Sequence, residues 1–441
     1  MLYPMRIALI NSQQDVGGVN IKNHLQTLLA AGGRWPLAEQ HELTFYEVAG
    51  RLIHQDRIDE EVDADLILFI SRHASVHPTP ALTVHVTGNY EGADLGGEPG
   101  RLAPAAPAWM HAILGNLAAR APEGYRVSYE VTHHGPTALS TPSLFVEIGS
   151  TATEWADPAA GRAVAESILA AEPQETIDLL GFGGTHYAVR QTEIALSSRG
   201  AFGHMVPTRQ IGAVDPVLLR TMQEASGAVA GYIDRKSLTK DDAGRIERML
   251  GDAALPLLSE SEIQEASGLA WAAYLRVREL AEEIAPGSRV RIHDLRGEGT
   301  PAVVRIGPGL IEETIKSDRS GFLKGLDELP VAHLSKGSNE VLSTFICFEN
   351  ESSRLASDIT TLCVKLLLIC ENAVIDGDHL VLRKVRFDPE KARRHGIPKG
   401  PLFAMLAGGK AVEIEGRMVT PDAVQTTSVK RIHIPGLERY I

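Results

Sequence analysis

Apolar positions along the chain fall into two periods. Residues 6–12 form a short apolar run, a polar loop occupies 13–18, and an amphipathic stretch runs from about Val19 to Ala31, which predicts a β-loop-α opening. The strand predicted over 65–70 is continuously apolar from Leu66 onward, as in a strand buried on both faces of a parallel sheet. Further strands are predicted at 82–86, 125–131, 142–149 and 176–180, with helices near 107–120 and 158–171. Thr151 and Glu154 have the spacing of a capping box, and so do Ser259 and Glu262. Helices are predicted around 215–235 and 259–285. Strands alternating with helices predict an α/β domain whose mainly parallel or mixed sheet is flanked by helices. Pro286-Gly287-Ser288 reads as a hinge. Beyond it, strand-like pieces at 289–293, 302–306 and 341–348 and a helix near 353–371 predict a smaller α+β domain. The expected division is a core of 1–258, a connecting helix over 259–285, and an extension of 286–441.

Charge changes this picture in one respect. The net charge is −13, yet residues 286–441 hold 22 Lys/Arg against 20 Asp/Glu, while residues 1–285 hold 21 against 36. Acidic chains bind nucleic acid poorly because phosphate neutralisation drives that affinity, so an RNA partner requires local basic patches. Arg383-Lys384-Val385-Arg386 and Lys391-Ala392-Arg393-Arg394-His395 supply two, although a solvated face explains each equally well. The richest apolar run, 362–370, is too short to span a bilayer and contains Lys365. Residues 1–6 lead into a strand without signal-peptide layout, so the expected location is the cytoplasm, with no membrane association. Cys347, Cys363 and Cys370 read as buried small hydrophobes rather than as a disulfide or metal site.

Candidate chemistry gathers at the predicted strand ends. Five clusters hold Arg72 and His73; Asn89, with His85 still inside its strand; His133 and His134; Glu147 with Ser150; and His186 with Tyr187. Carboxyl ends of parallel strands share one edge, where ligands bind, so these residues are expected to meet in one cleft. Each has a duller alternative. His85 serves as a hydrogen-bonded wall residue, His73 as a strand cap, and Gly181-x-Gly183-Gly184 as a tight turn rather than a phosphate cradle. Glu147 sits in an apolar strand, where an unpaired carboxylate is costly, so it must pair with a metal, a histidine or Arg72. No His-Glu-x-x-His, Cys-x-x-Cys or Gly-x-Ser-x-Gly motif occurs, which leaves a histidine and carboxylate hydrolase, with or without metal.

At these same clusters the sequence resembles the D-aminoacyl-tRNA deacylases of the archaeal and plant type. The matching runs are Ser71-Arg72-His73-Ala74-Ser75, residues 82–85 with Thr87-Gly88-Asn89, Asp94-Leu95-Gly96-Gly97, residues 131–137, residues 145–151 and residues 181–187. The loop from Asp15 to Asn20 and Asp234-Arg235-Lys236 also agree, so the resemblance covers about the first 260 residues. It implies hydrolysis of the ester joining a D-amino acid to the terminal adenosine of tRNA, a zinc requirement, and a fold related to peptidyl-tRNA hydrolases and nucleoside phosphorylases. On that footing zinc (Zn2+) is expected on some of His85, His133, His134, Glu147 and His186. Arg72, His73, Asn89, His133 and His134 are the expected catalytic residues, Arg72 or Asn89 stabilising the oxyanion or holding the ribose. Asp15, Asn20, Thr87, Gly88, Thr137, Ser150, Gly183, Gly184 and Tyr187 are the expected substrate contacts. Thr185 and Ala74 depart from the family pattern. Residues 395–402 resemble a stretch near the end of ribonuclease Z enzymes, which, with the basic patches, raises the expectation that the extension touches tRNA. The tRNA acceptor end is the expected partner of a monomer with no obligatory protein partner. The rival readings are another metal-dependent hydrolase or phosphorylase of the same fold acting on a nucleoside or peptide, and a tRNA-binding protein without catalysis.

Overall fold

In the computed structural model, which describes residues 4–75, 78–337, 340–370, 373–414 and 416–441, the chain divides into two units, 1–267 and 268–441. The readings that fall on residues 1–3, on Glu371 and on the Cys370 side chain lie outside the described residues. In chain order the first unit comprises β1 (Arg6–Ser12), α1 (Val16–Ala30), α2 (Pro36–Gln40), β2 (Glu42–Val48), β3 (Leu66–Ala74), β4 (Ala81–His85) and α3 (Pro107–Arg120). It continues with β5 (Arg126–Tyr129), β6 (Ser143–Ser150), α4 (Ala152–Trp155), α5 (Pro158–Leu169), β7 (Ile177–Phe182), α6 (Val189–Ser197) and β8 (Gly200–Val206). It ends with α7 (Pro216–Ser226), β9 (Ala230–Ile233), α8 (Lys240–Asp252) and α9 (Glu260–Ala266).

The main sheet has the order β2-β1-β3-β6-β4-β5, and a smaller sheet has the order β8-β7-β9. β1, β2, β3 and β6 are parallel, but β4 runs antiparallel to β6 and carries β5 with it. The expected common edge of strand ends is therefore corrected: β4 and β5 point the other way, and β7 belongs to the second sheet. What gathers the polar residues is register. Ser71 lies opposite Glu147 and His73 opposite Gly149, while Thr83 and His85 lie opposite Glu147 and Phe145. Alternation along each strand puts all of these on one sheet face, beside the stacked rings of Phe69 and Phe145.

Three local corrections have physical causes. α1 starts at Val16 rather than Val19, because the Asp15 carboxylate caps it, accepting from Gly18 N at 3.0 Å. The helix expected over 215–235 stops at Ser226, where Gly227 takes a left-handed conformation (φ 60°), and β9 follows. The helix expected over 259–285 is two helices, α9 and, across a break, α10 (Trp271–Ile284), and the boundary between units falls in that break. Both capping boxes form.

The second unit continues with β10 (Arg289–Ile292), β11 (Pro301–Arg305), α11 (Pro308–Leu326), β12 (Ala332–Lys336), β13 (Glu340–Phe348) and α12 (Ser352–Cys370). β14 (Ala373–Asp376) and β15 (His379–Phe387) follow, then α13 (Pro389–Arg394), α14 (Pro401–Ala407), β16 (Val412–Ile414), β17 (Arg417–Val419) and β18 (Gln425–His433). An antiparallel sheet of order β10-β12-β13-β11 and a sheet of order β14-β15-β18 share one core with α11 and α12, in which Cys347 and Cys363 are buried as small hydrophobes. Among the described residues, no helix is long and apolar enough to cross a membrane.

Glu313 on α11 ties this unit together. Lys430 Nζ donates to its Oε1 at 2.8 Å and Lys384 Nζ lies 3.0 Å from its Oε2, with the glutamate side chain only 7% exposed. Burial alone would raise its pKa, but the two lysines reverse the sign and bring it down to about 2 from an ordinary 4.5. A depressed carboxylate stabilises the fold above its ordinary pKa and loses that stabilisation as pH falls toward the folded value. Glu313→Gln is therefore expected to cost about 2–3 kcal/mol at pH 7, the gap to wild type closing between about pH 5 and pH 2. Urea unfolding at several pH values measures this, and a gap constant with pH would contradict it.

Candidate functional site

Five histidines and two glutamates meet on the face of the main sheet. Glu130, one residue beyond β5 and fully buried, sits at the centre. Its Oε1 lies 3.0 Å from His73 Nδ1, and its Oε2 lies 2.9 Å from His186 Nε2 and 3.4 Å from His133 Nε2. Glu147 on β6 has Oε2 3.6 Å from both His73 Nδ1 and His85 Nε2, while Ser71 Oγ donates to its Oε1 at 2.5 Å. Gly149 makes room for this arrangement: a Cβ there would lie 2.6 Å from the His73 ring.

Three imidazoles share a single orientation. His85, His133 and His134 each place Nδ1 on a backbone carbonyl, of Val86 (3.2 Å), Val131 (2.8 Å) and Gly135 (2.7 Å). Donation from Nδ1–H leaves Nε2 of His133 and His134 with its lone pair, the usual outer-sphere arrangement of a metal-binding histidine, while Glu147 raises the pKa of His85 against its burial. Ligand atoms of these three lie within 4.8 Å of one another, as do those of His73, Glu130 and His186. His134 holds a left-handed backbone conformation (φ 46°), uncommon for a residue with a Cβ. Thr87 and Gly88 brace that turn, Thr87 Oγ1 donating to Pro136 O at 2.5 Å and Gly88 N to His134 O at 2.9 Å.

The electrostatics separate two groups of imidazoles. Burial opposes charge on His73, but Glu130 and Glu147 outweigh it and raise its pKa to about 11, so it stays protonated. Burial, joined by the neighbouring His85, lowers His134 to about 4. Burial with the charges of His134 and His85 takes His133 well below its ordinary value. Against their burial, the histidines hold Glu130 well below the carboxylate range and Glu147 at about 2.

A cavity of about 720 Å³ opens over this cluster. Of the expected site residues, Asp15, Arg72, His73, His133, His134, Glu147, His186 and Tyr187 line it, with His85 fully buried beneath. His73 Nε2 lies 3.1 Å from the Tyr187 hydroxyl, and the Arg72 guanidinium lies 4.7 Å from the centre of the Trp155 ring. The remainder of the expected set lies elsewhere. Asn89 spends its carboxamide on the carbonyls of Gly96 and Glu98, and Asn20 on those of Trp155 and Asp157. Ser150 bonds the backbone of Thr79, and Thr137 Oγ1 accepts from Glu98 N. The glycine turn does not present its amides to a ligand: Gly183 N donates to Val206 O, and Gly184 N to the hydroxyls of Thr208 and Ser237. Sequence reasoning passed over Glu130, Ser71, Arg51 and Arg209. For Glu130 a signal existed, a carboxylate closing a strand three residues before a histidine.

The fold and this centre define an α/β protein with a buried histidine–carboxylate cluster under a cavity, the equipment of an acyl-bond hydrolase. A D-aminoacyl-tRNA deacylase family model matches residues 60–258. The D-aminoacyl-tRNA deacylase of Methanoregula boonei is 50% identical over 442 residues, covering 99% of this chain and 100% of that protein. The D-aminoacyl-tRNA deacylase of Methanosarcina mazei is 41% identical over 283 residues, covering 60% of this chain and 95% of its own length. The crystal structure of a conserved protein of unknown function superposes with a TM-score of 0.55 at 33% identity, covering 60% of this chain and 98% of that one. The chain belongs to the D-aminoacyl-tRNA deacylase family.

Proposed function

We propose that this chain hydrolyses the ester between a D-amino acid and the terminal adenosine of tRNA, releasing the free D-amino acid and tRNA. The observation that carries the reading is the convergence of five imidazoles and two buried carboxylates under one cavity, in a chain of this family.

The donor set fits a zinc ion. His85 Nε2 is buried without a hydrogen-bond partner, and both Glu130 oxygens lack an aligned hydrogen bond although imidazole nitrogens lie about them. Orphaned donors and acceptors of this kind are costly unless something else satisfies them. His85, His133 and His134 would hold the ion through Nε2, with Glu147 beside them, while His186, whose Nε2 is turned to Glu130, stays outside the ligand set. Bound zinc supplies Lewis acidity toward an ester carbonyl. The chain's own groups do the rest. His186, partly open to the cavity and paired with Glu130, accepts a proton from the attacking water, and Glu130 stabilises the imidazolium formed. The His73 imidazolium donates to Tyr187 and turns that hydroxyl's proton toward the cavity, where Tyr187 and Arg72 stabilise the developing oxyanion. On this reading Arg72 takes the oxyanion role and Tyr187 the one considered for Asn89.

The proposal includes a cytoplasmic monomer and the kinship of this sheet with peptidyl-tRNA hydrolases and nucleoside phosphorylases. Charged tRNA tests it. D-tyrosyl-tRNA is expected to be deacylated at least about 10²-fold faster than L-tyrosyl-tRNA, because rejection is steric at Cα. Equal rates, or hydrolysis of a nucleoside or peptide instead, would overturn it.

A further inference from the structure

The cavity that carries the hydrolytic cluster also carries three arginines, two of which the hydrolysis itself does not use. Residues 1–267 hold 19 Lys/Arg against 33 Asp/Glu, a net of −14. Three of those cations, Arg51, Arg72 and Arg209, nevertheless line this one cavity. Arg72 is engaged by the Trp155 ring. Arg51 and Arg209 are exposed, and among the described residues neither forms an ion pair or a side-chain hydrogen bond. The two carboxylates on the lining cannot serve them. Asp15 accepts from the amides of Gly18 and Arg72, and Glu147 is buried against Ser71, His73 and His85.

Two guanidinium groups without a carboxylate partner on the lining put positive charge on the wall of the cavity that holds the cluster. Other arginines of the same unit find a carboxylate, as Arg6 does in Asp65, Arg101 in Glu98 and Arg235 in Glu247, or another partner, as Arg126 does in the Tyr187 ring and Arg245 in the carbonyls of Ile211 and Val214. An anion entering the cavity would meet both groups. An aminoacyl ester brings no anion of its own, since the amino acid's carboxylate is consumed in the ester. The 3′ end of a nucleic acid brings one per nucleotide.

Resting on the deacylase reading above, we propose that Arg51 and Arg209 hold the phosphodiester that joins the terminal adenosine to the nucleotide before it. The pair thereby makes the cavity a reader of a nucleic-acid 3′ end rather than of any D-amino-acid ester. Guanidinium groups suit this task because their planar donor forks match phosphate oxygens.

Two substrates separate the outcomes: D-tyrosyl-tRNA, and D-tyrosyl adenosine, which has the same ester and no phosphate. In the double variant Arg51→Ala with Arg209→Ala, kcat/KM for D-tyrosyl-tRNA is expected to fall at least ~tenfold further than for D-tyrosyl adenosine, carried by KM, as for a lost charge-assisted contact. The dependence of log KM on log salt should become shallower by about one. Lysines at both positions should restore most of the salt dependence. Equal losses on the two substrates, or no loss on either, would overturn the phosphate assignment while leaving the deacylase reading intact. Wild-type protein inert toward both D-esters would overturn the deacylase reading itself. Activity on D-tyrosyl adenosine also reports that the double variant is folded.

Discussion

Glu130→Gln is expected to lower kcat for D-aminoacyl-tRNA by about 10²–10³-fold while leaving the substrate bound with little change in KM. The carboxylate is fully buried and is the common neighbour of His73, His133 and His186. Removing its charge strips the imidazolium of His186 of its counter-ion during turnover and leaves His73 with Glu147 alone. The pKa of His73 must then fall from about 11, because Glu130 is the larger of the two carboxylate influences that raise it. The variant is nearly isosteric, yet breaking one side of a buried ion pair costs about 3–5 kcal/mol, so thermal stability should drop visibly as well. Pre-steady-state deacylation with equilibrium tRNA binding distinguishes the effects. Near-wild-type kcat in a folded Glu130→Gln protein would remove Glu130 from the mechanism.

That this residue escaped the sequence reading illustrates what a chain discloses about itself. Glu130 ends an alternating strand run, where a charged side chain defaults to the solvent side, and only the sheet's partners show that side to be covered. His73, His85, His133, His134, Glu147 and His186 were legible as a group, because polar residues recur at the ends of apolar runs. A shared edge of parallel strand ends does not bring them together. Hydrophobic period identifies a strand but not the direction of its neighbour, so the antiparallel step between β6 and β4 was invisible. The cluster forms across strands at matched register instead of along a shared edge.

Elements with strong local signals were readable to within a residue or two: β1, α3 and the two capping boxes. β8 was not, since Gly200, Gly203 and His204 interrupt its apolar run, although all seven residues are buried. Glycines cost a strand side-chain packing, and here tight contact asks for them: a Cβ on Gly203 would lie 2.4 Å from Ser226 Oγ. β9 was absorbed into a helix because its four residues are too few to establish a period of their own. In the second unit α11 is broken at Asp318, whose φ of −147° and ψ of 84° leave the helical region, and the broken pattern hid a 19-residue element.

Removal of divalent metal is expected to abolish deacylation, by 10³-fold or more, with zinc restoring it. The expectation rests on donor chemistry. Nδ1 of His85, His133 and His134 is committed to a carbonyl in each case, which turns each Nε2 toward a ligand; the buried His85 Nε2 has no aligned hydrogen bond and lies 3.6 Å from Glu147, whose charge raises the His85 pKa against its burial. Burial with the surrounding charges keeps His134 and His133 deprotonated at neutral pH, the form that ligates, so no proton has to be displaced from either on binding. Two measurements besides activity bear on the point. Metal content of the purified chain should fall in His85→Ala and in His133→Ala, where a lost ligand weakens binding more strongly than a lost outer-sphere partner, itself worth about 10–100-fold. Zinc at a thousandfold excess over its Kd should stabilise the metal-free protein by about 4 kcal/mol, seen as a rise in Tm that the histidine variants do not show. Full activity and an unshifted Tm in metal-free protein would instead assign these imidazoles to proton transfer with Glu130 and Glu147. The three backbone carbonyls would then serve only to set which nitrogen of each ring faces the ester.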